Sequence, residues 1–132
     1  MLRRTVLMTA AAIAAWPAIA AEDYVPGLVD ERLAAGETVF LDYTATWCST
    51  CRSQGRTIAK LKAGNPAYEA KVTFIDIDWD TYARDEITTR YGVPRRSTLI
   101  AISPAGEIGR IVAGTAEADI KALMDAAVAA AG

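Results

Sequence analysis

The sequence predicts an α/β domain, a four-stranded mixed sheet flanked by helices on both faces. Three observations predict it. Segments rich in β-branched and aromatic residues alternate with segments of helical periodicity, the pattern of parallel strands joined by helical crossovers. The last two strand segments are separated only by Ser103-Pro104-Ala105-Gly106, a turn signal that makes them an antiparallel hairpin. The 132 residues show no internal repeat, low-complexity linker or second hydrophobic unit, so one domain is expected.

The elements follow in order. Pro26 to Ala35 places Leu28, Val29 and Leu33 at helical spacing, and Gly36 ends that helix. Thr38 to Thr44 reads TVFLDYT, a strand composition. A helix starts near Cys48 and runs through Arg52 to Lys62, stopping at Gly64-Asn65-Pro66. Val72 to Ile77 is the second strand, and Tyr82 to Arg90 is a helix closed by Gly92 and Pro94. Thr98 to Ile102 and Ile108 to Val112 form the hairpin. Ala116 to Ala131 is a final amphipathic helix with Ile120, Leu123, Met124 and Val128 on one face.

The amino terminus reads as an address. Arg3 and Arg4 precede an uncharged, mostly apolar run from Val6 to Ala15, and Ala18-Ile19-Ala20 supplies the small residues a signal peptidase reads. The run is short for a bilayer span, so a cleavable signal over residues 1–20 is expected, with the domain over 21–132. Arg3-Arg4 bears a faint likeness to a twin-arginine export motif. Removing the signal takes two of the 14 basic residues and none of the 16 acidic ones, and leaves 112 residues of net charge −4. A periplasmic or secreted protein follows, in a compartment where disulfides persist.

Composition narrows the chemistry. The chain has no His, which excludes Ser-His-Asp and Cys-His nucleophile systems and imidazole metal sites. Its acidic balance argues against nucleic acid as a partner. The two cysteines lie in Trp47-Cys48-Ser49-Thr50-Cys51, between a strand end and a helix start. There the first Cys faces unpaired N–H groups whose partial positive charge favours a thiolate, and Arg52 adds a cation nearby. Cys48 is expected to be the more exposed and to attack a substrate disulfide. Cys51, buried one turn away, resolves the mixed disulfide. A static disulfide is a poor alternative because so small a loop removes little unfolded-state entropy. A metal site needs ligands from a second chain.

Leu41 to Cys51 (LDYTATWCSTC), Tyr91-Gly92-Val93, Thr98-Leu99-Ile100, Gly106 and Gly114 together resemble the thioredoxin family over essentially all of the expected mature chain. The element order is that of the thioredoxin fold lacking its first strand. Leu41 to Cys51 is also similar to the thioredoxin-like domains of periplasmic reductant relays. The resemblance implies a thiol–disulfide oxidoreductase with no cofactor beyond its own dithiol and no metal. It implies protein thiol and disulfide substrates, an upstream redox partner in the membrane or periplasm, and a monomer. It assigns Asp42, six residues before Cys48, to proton transfer with the second Cys. A carboxyl on a buried strand has the raised pKa this needs.

The sequence departs from the family at several places. Ser97 stands where the family has a cis-proline, and the Arg96–Ser97 peptide is expected to be trans because a non-proline cis bond costs about 2.5–4 kcal/mol. Ser97 restores an N–H and adds a hydroxyl beside the sulfurs, and Trp47, Ser49, Thr50, Arg96 and Ser97 frame the substrate groove. Arg96 is expected near Cys48, where it stabilises the thiolate or selects acidic substrate segments. Phe74 stands near the place of the family's Lys partner of Asp42. Losing the proline keeps open a copper or iron–sulfur site bridging two chains through Cys48 and Cys51. A non-catalytic binding module with an idle disulfide is the other alternative. Asp76, Asp78 and Asp80 alternate in the manner of calcium ligands, but lack a Gly-punctuated loop and further Glu, so a polar strand end is expected. The direction of electron flow is set by reduction potential and partners.

Overall fold

The computed structural model describes residues 21–132; the expected signal at residues 1–20 lies outside the described residues. The elements are β1 (Glu22–Asp23), α1 (Leu28–Ala34), β2 (Thr38–Thr44), α2 (Ser49–Gly64), α3 (Ala67–Lys71), β3 (Val72–Asp78), α4 (Trp79–Tyr82), α5 (Glu86–Thr89), β4 (Thr98–Ser103), β5 (Gly106–Val112) and α6 (Glu117–Ala131). The sheet has five strands in the order β1-β3-β2-β4-β5. β1 and β2 run parallel to β3, while β4 is antiparallel to both β2 and β5.

Three features differ from expectation. A fifth strand joins the expected four: Glu22 and Asp23 pair with Ile75 and Asp76 at the edge of β3. Two residues carry no periodicity, so only the open sheet edge reveals them. In place of one helix over Tyr82 to Arg90, α4 ends at Tyr82 and only the four-residue α5 lies within that span. Asp85 interrupts it in extended conformation and caps α5, its carboxylate accepting from Ile87 N–H at 3.2 Å. The short α3 is also additional, and begins where the Asn65 side chain accepts from Ala67 N–H at 3.0 Å.

Alternation along the central strand divides the core. Val39, Leu41 and Tyr43 of β2 face one side, with Ile75 and Ile77 of β3 and Val29 of α1. Phe40 faces the other side, with Phe74 of β3, Ile58 of α2, and Ile120 and Met124 of α6. The period of two puts Asp42 on the Phe40 side, beneath α2. In the parallel register Asp42 is the partner of Asp76, as Phe40 is of Phe74. Two carboxylates therefore lie side by side on the covered face of the sheet.

Met124 is fully buried on the inner face of α6. Met124→Ala is expected to lower stability by about 2–5 kcal/mol in urea denaturation. A loss below about 1 kcal/mol would mean that α6 is not seated on the sheet as described.

Candidate active site

β2 ends at Thr44, and the chain crosses Ala45 to Trp47 before α2 begins. Cys48 is the N-cap of α2, with extended backbone angles (φ −90°, ψ 112°) and its Sγ accepting from Cys51 N–H at 3.2 Å. A sulfur thus stands where Ser or Asp usually satisfies the first turn of a helix. Ser97, at the entry to β4, brings its Oγ to 3.2 Å from Cys48 Sγ and 3.1 Å from Cys51 Sγ. A hydroxyl has one proton to donate but can also accept. It can therefore donate to a Cys48 thiolate, and toward Cys51 either atom can be the donor.

Burial pushes the Cys48 thiol up. Hydrogen bonds from the Cys51 thiol, the Ser97 hydroxyl, the Cys51 N–H and the Arg96 guanidinium outweigh it and bring Cys48 down to about 6. Burial and then the neighbouring Cys48 sulfur hold Cys51 above the ordinary thiol value. In the dithiol form these shifts favour one thiolate and one thiol near neutral pH.

Exposure does not distinguish the two cysteines. Both are free and buried, Cys48 at 3% and Cys51 at 2%. The expected greater exposure of Cys48 is absent because Cys48 packs with Ala45, Cys51 and Trp79. The hydrogen-bond set makes the difference instead. The cation acting on Cys48 is Arg96, which stacks 4.5 Å above the Trp47 ring. Arg52 donates to Thr46 C=O at 3.0 Å. Trp47 is 54% exposed, its indole N–H shared between the Asp80 carboxylate oxygens at 3.0 Å. Ser49 is exposed and Thr50 half-buried on the first turn of α2. The Arg96–Ser97 peptide is trans, and Ser97 has a left-handed φ of +64°. Its N–H donates to Tyr43 C=O at 2.7 Å, so it is closed to a substrate.

Behind the cysteines a cleft of about 850 Å³ reaches from Cys51 to Asp42, Lys62 and Asp76. Asp42 is 9% exposed and its Oδ1 has no hydrogen-bond partner. Burial, and then the Asp76 charge, push Asp42 up to about 8, with Lys62 opposing. Burial also raises Asp76 and lowers Lys62. Lys62 is the cation that acts on Asp42, where the sequence had offered none. Its Nζ lies 3.9 Å from the centre of the Phe74 ring, so the aromatic standing near the family's Lys position carries an ammonium from α2. Sequence reasoning missed Lys62 and Gln54, and read Asp76 as part of a polar strand end where the structure sets it beside Asp42. Lys62 had a signal, since it lies eleven residues after Cys51, about three helical turns along one face. Asp78 stands at the N-cap position of α4, where its carboxylate accepts from Thr81 Oγ1 at 2.6 Å, and Asp80 holds Trp47. The three alternating aspartates thus have separate tasks.

A dithiol at the N-terminus of a helix, set against the central strand of a mixed sheet with a buried carboxyl beneath, defines the thioredoxin-fold class of dithiol proteins. The chain belongs to the thioredoxin family, whose model matches residues 26–126. It is 35% identical over 99 residues to thiol:disulfide interchange protein DsbD 2 of Pseudomonas aeruginosa, a match covering 71% of this chain and 17% of that one. It is 30% identical to thioredoxin H5 of rice (Oryza sativa), across 67% of this chain and 62% of the relative. The chain therefore spans about a sixth of the length of the DsbD relative. Among solved structures, Trxlp from Edwardsiella tarda superposes with a TM-score of 0.68 at 27% identity, covering 79% of this chain and 98% of that one. Malassezia sympodialis thioredoxin shares the fold at 21% identity with a TM-score of 0.64, covering 83% and 96%.

The Asp42 shift carries a stability consequence. Its folded pKa of about 8 lies above the ordinary 3.8, so the folded state holds a proton the unfolded state has released. That contribution is complete at low pH and is lost as pH rises from about 4 through about 8. Urea denaturation of the reduced protein should show Asp42→Asn losing this slope and exceeding the parent at pH 8 by on the order of a few kcal/mol. Parallel pH profiles for the two proteins would remove Asp42 as the buried acid.

Proposed function

We propose that this protein is a thiol–disulfide oxidoreductase that exchanges disulfides with protein substrates through Cys48 and Cys51. The observation that carries the reading is the Cys48 sulfur capping α2 with its pKa near 6, beside a thiol whose pKa is raised. At neutral pH such a pair holds a ready nucleophile and a reserve proton.

In the reducing direction, Cys48 thiolate attacks one sulfur of a substrate disulfide. That S–S bond breaks, a Cys48–substrate S–S bond forms, and the displaced substrate sulfur leaves as a thiolate that takes a proton. Cys51 then gives its proton to the Asp42 carboxylate through water in the cleft, and its thiolate attacks Cys48 Sγ. The mixed disulfide breaks, the Cys48–Cys51 disulfide forms, and the second substrate sulfur departs as a thiolate. Two electrons pass from the dithiol to the substrate. The oxidising direction reverses every step. A carboxyl with a pKa near 8 both accepts and returns a proton close to neutrality.

Trp47, Ser49, Thr50, Arg96 and Ser97 frame the substrate groove in this reading. Trp47 supplies an exposed apolar face, and Arg96 favours substrate segments carrying acidic residues. The leader at residues 1–20 sends the domain to the periplasm or outside the cell, where a membrane or periplasmic redox partner restores its starting state. It works as a monomer, with no cofactor.

Two measurements test the proposal. With insulin as the disulfide substrate, Cys48→Ser abolishes exchange, whereas Cys51→Ala accumulates a mixed disulfide through Cys48. Trapping through neither cysteine would sink the reading. The rate of Cys48 alkylation should rise with pH to a plateau, with a midpoint near 6. Arg96→Ala moves that midpoint up, and an unmoved midpoint would take Arg96 out of the electrostatics of the site.

A further inference from the structure

Ser97 holds a conformation that a residue with a Cβ does not adopt freely. Its φ of +64° is left-handed, which costs about 1–2 kcal/mol. Ala113, which follows β5 at the same open end of the hairpin, is left-handed too, at +62°. The two are tied together, because Ala113 N–H donates to Ser97 C=O at 2.9 Å. Tyr43 C=O accepts from Ser97 N–H, which fixes the segment to β2. These bonds join the Ser97 segment to the sheet. They do not join it to α2, which carries both cysteines.

Gln54 makes that connection. It lies on α2 one turn beyond Cys51 and is fully buried. Both donors of its amide are used, Nε2 donating to Ser97 C=O and to Gly114 C=O at 2.9 Å each. Gly114 is closely packed: a Cβ there would meet Ile111 Cγ2 at 2.8 Å. The amide oxygen has no partner. Burying an unpaired acceptor is unfavourable by about 1–3 kcal/mol, so Leu or Met would suit this position better for packing alone. What Gln54 supplies is a strut of defined length from the redox helix to the two segments flanking the hairpin. At the end of that strut the Ser97 hydroxyl meets both sulfurs.

We propose that Gln54 is a positioning residue: its amide ties α2 to Ser97 and so holds the Ser97 hydroxyl between the two sulfurs, setting the nucleophilicity of Cys48. It does through hydrogen bonds what a proline ring at position 97 would do through rigidity, and it leaves a hydroxyl at the sulfurs. The inference deepens the oxidoreductase reading and rests on it for its functional meaning.

The test is an ultraviolet thiolate titration of the reduced full chain in four forms: parent, Gln54→Met, Ser97→Ala and the double variant. Met keeps the volume and removes the amide. Each single variant should raise the Cys48 midpoint by about half a unit or more, about threefold less thiolate below the midpoint. The double variant should move it no further than the larger single shift, because both act through one hydroxyl. A parent-like midpoint in Gln54→Met, or additive shifts in the double variant, would overturn the proposal. If Gln54→Met fails to fold by circular dichroism, Gln54→Asn keeps the amide but shortens its reach by one methylene, and is read the same way. The titration needs no substrate, so insulin reduction by the same parent preparation tests the oxidoreductase reading separately. Coupled shifts without exchange would reject that reading alone, and exchange without coupled shifts would reject the role of Gln54 alone.

Discussion

The sulfur of Cys48 caps a helix, and the rest of the site is arranged around that contact. A helix N-terminus has unpaired N–H groups that need an acceptor, and a thiolate meets that need far better than a thiol. The Cys51 N–H therefore rewards ionisation of Cys48 while the same geometry holds Cys51 one turn away. Burial works against the charge on both sulfurs. The balance comes out differently because Cys48 collects donors, whereas Cys51 has a charged sulfur as its neighbour. Reactivity is thus a property of the hydrogen-bond set, at two sites with nearly equal exposure.

Ser97 completes that set in place of the proline that the family resemblance leads one to expect. A proline ring would present no N–H and a rigid apolar wall. Serine presents a hydroxyl within hydrogen-bond reach of both sulfurs, and directs its own N–H away to Tyr43 C=O. The left-handed backbone this requires is held from several sides, by the sheet through Tyr43 and Ala113 and by α2 through Gln54. Strain held at a reactive centre by the surrounding structure is a common arrangement where geometry matters more than local stability.

Beneath the cysteines, strand alternation decides where charge is buried. Parallel pairing of β2 with β3 sets Asp42 beside Asp76 on the face covered by α2. Two acids in one poorly solvated place cannot both ionise easily, and Lys62 tempers this without removing it. The result is a carboxyl that titrates near neutrality in a protein with no histidine. The cleft beside it reaches from this acid to Cys51.

Much of this was legible in order along the chain. Alternating strand and helix segments, the hairpin turn and the cysteine pair at a strand–helix junction follow from local periodicity and turn chemistry, which act over a few residues. Asp42 and Ser97 were legible through the family resemblance, and Arg96 through its place beside Ser97. The fifth strand was not, because two residues gain strand geometry only by finding an edge. Lys62, Asp76 and Gln54 were not, because each matters through a neighbour distant in sequence: Phe74, Asp42 and Ser97. Local sequence thus determined the elements and the identity of the redox pair. Only the tertiary structure decided which cation faces Cys48, where the lysine beside Asp42 comes from, and what holds Ser97 in place. Those depend on register and helix packing, and a short-range pattern carries no information about either.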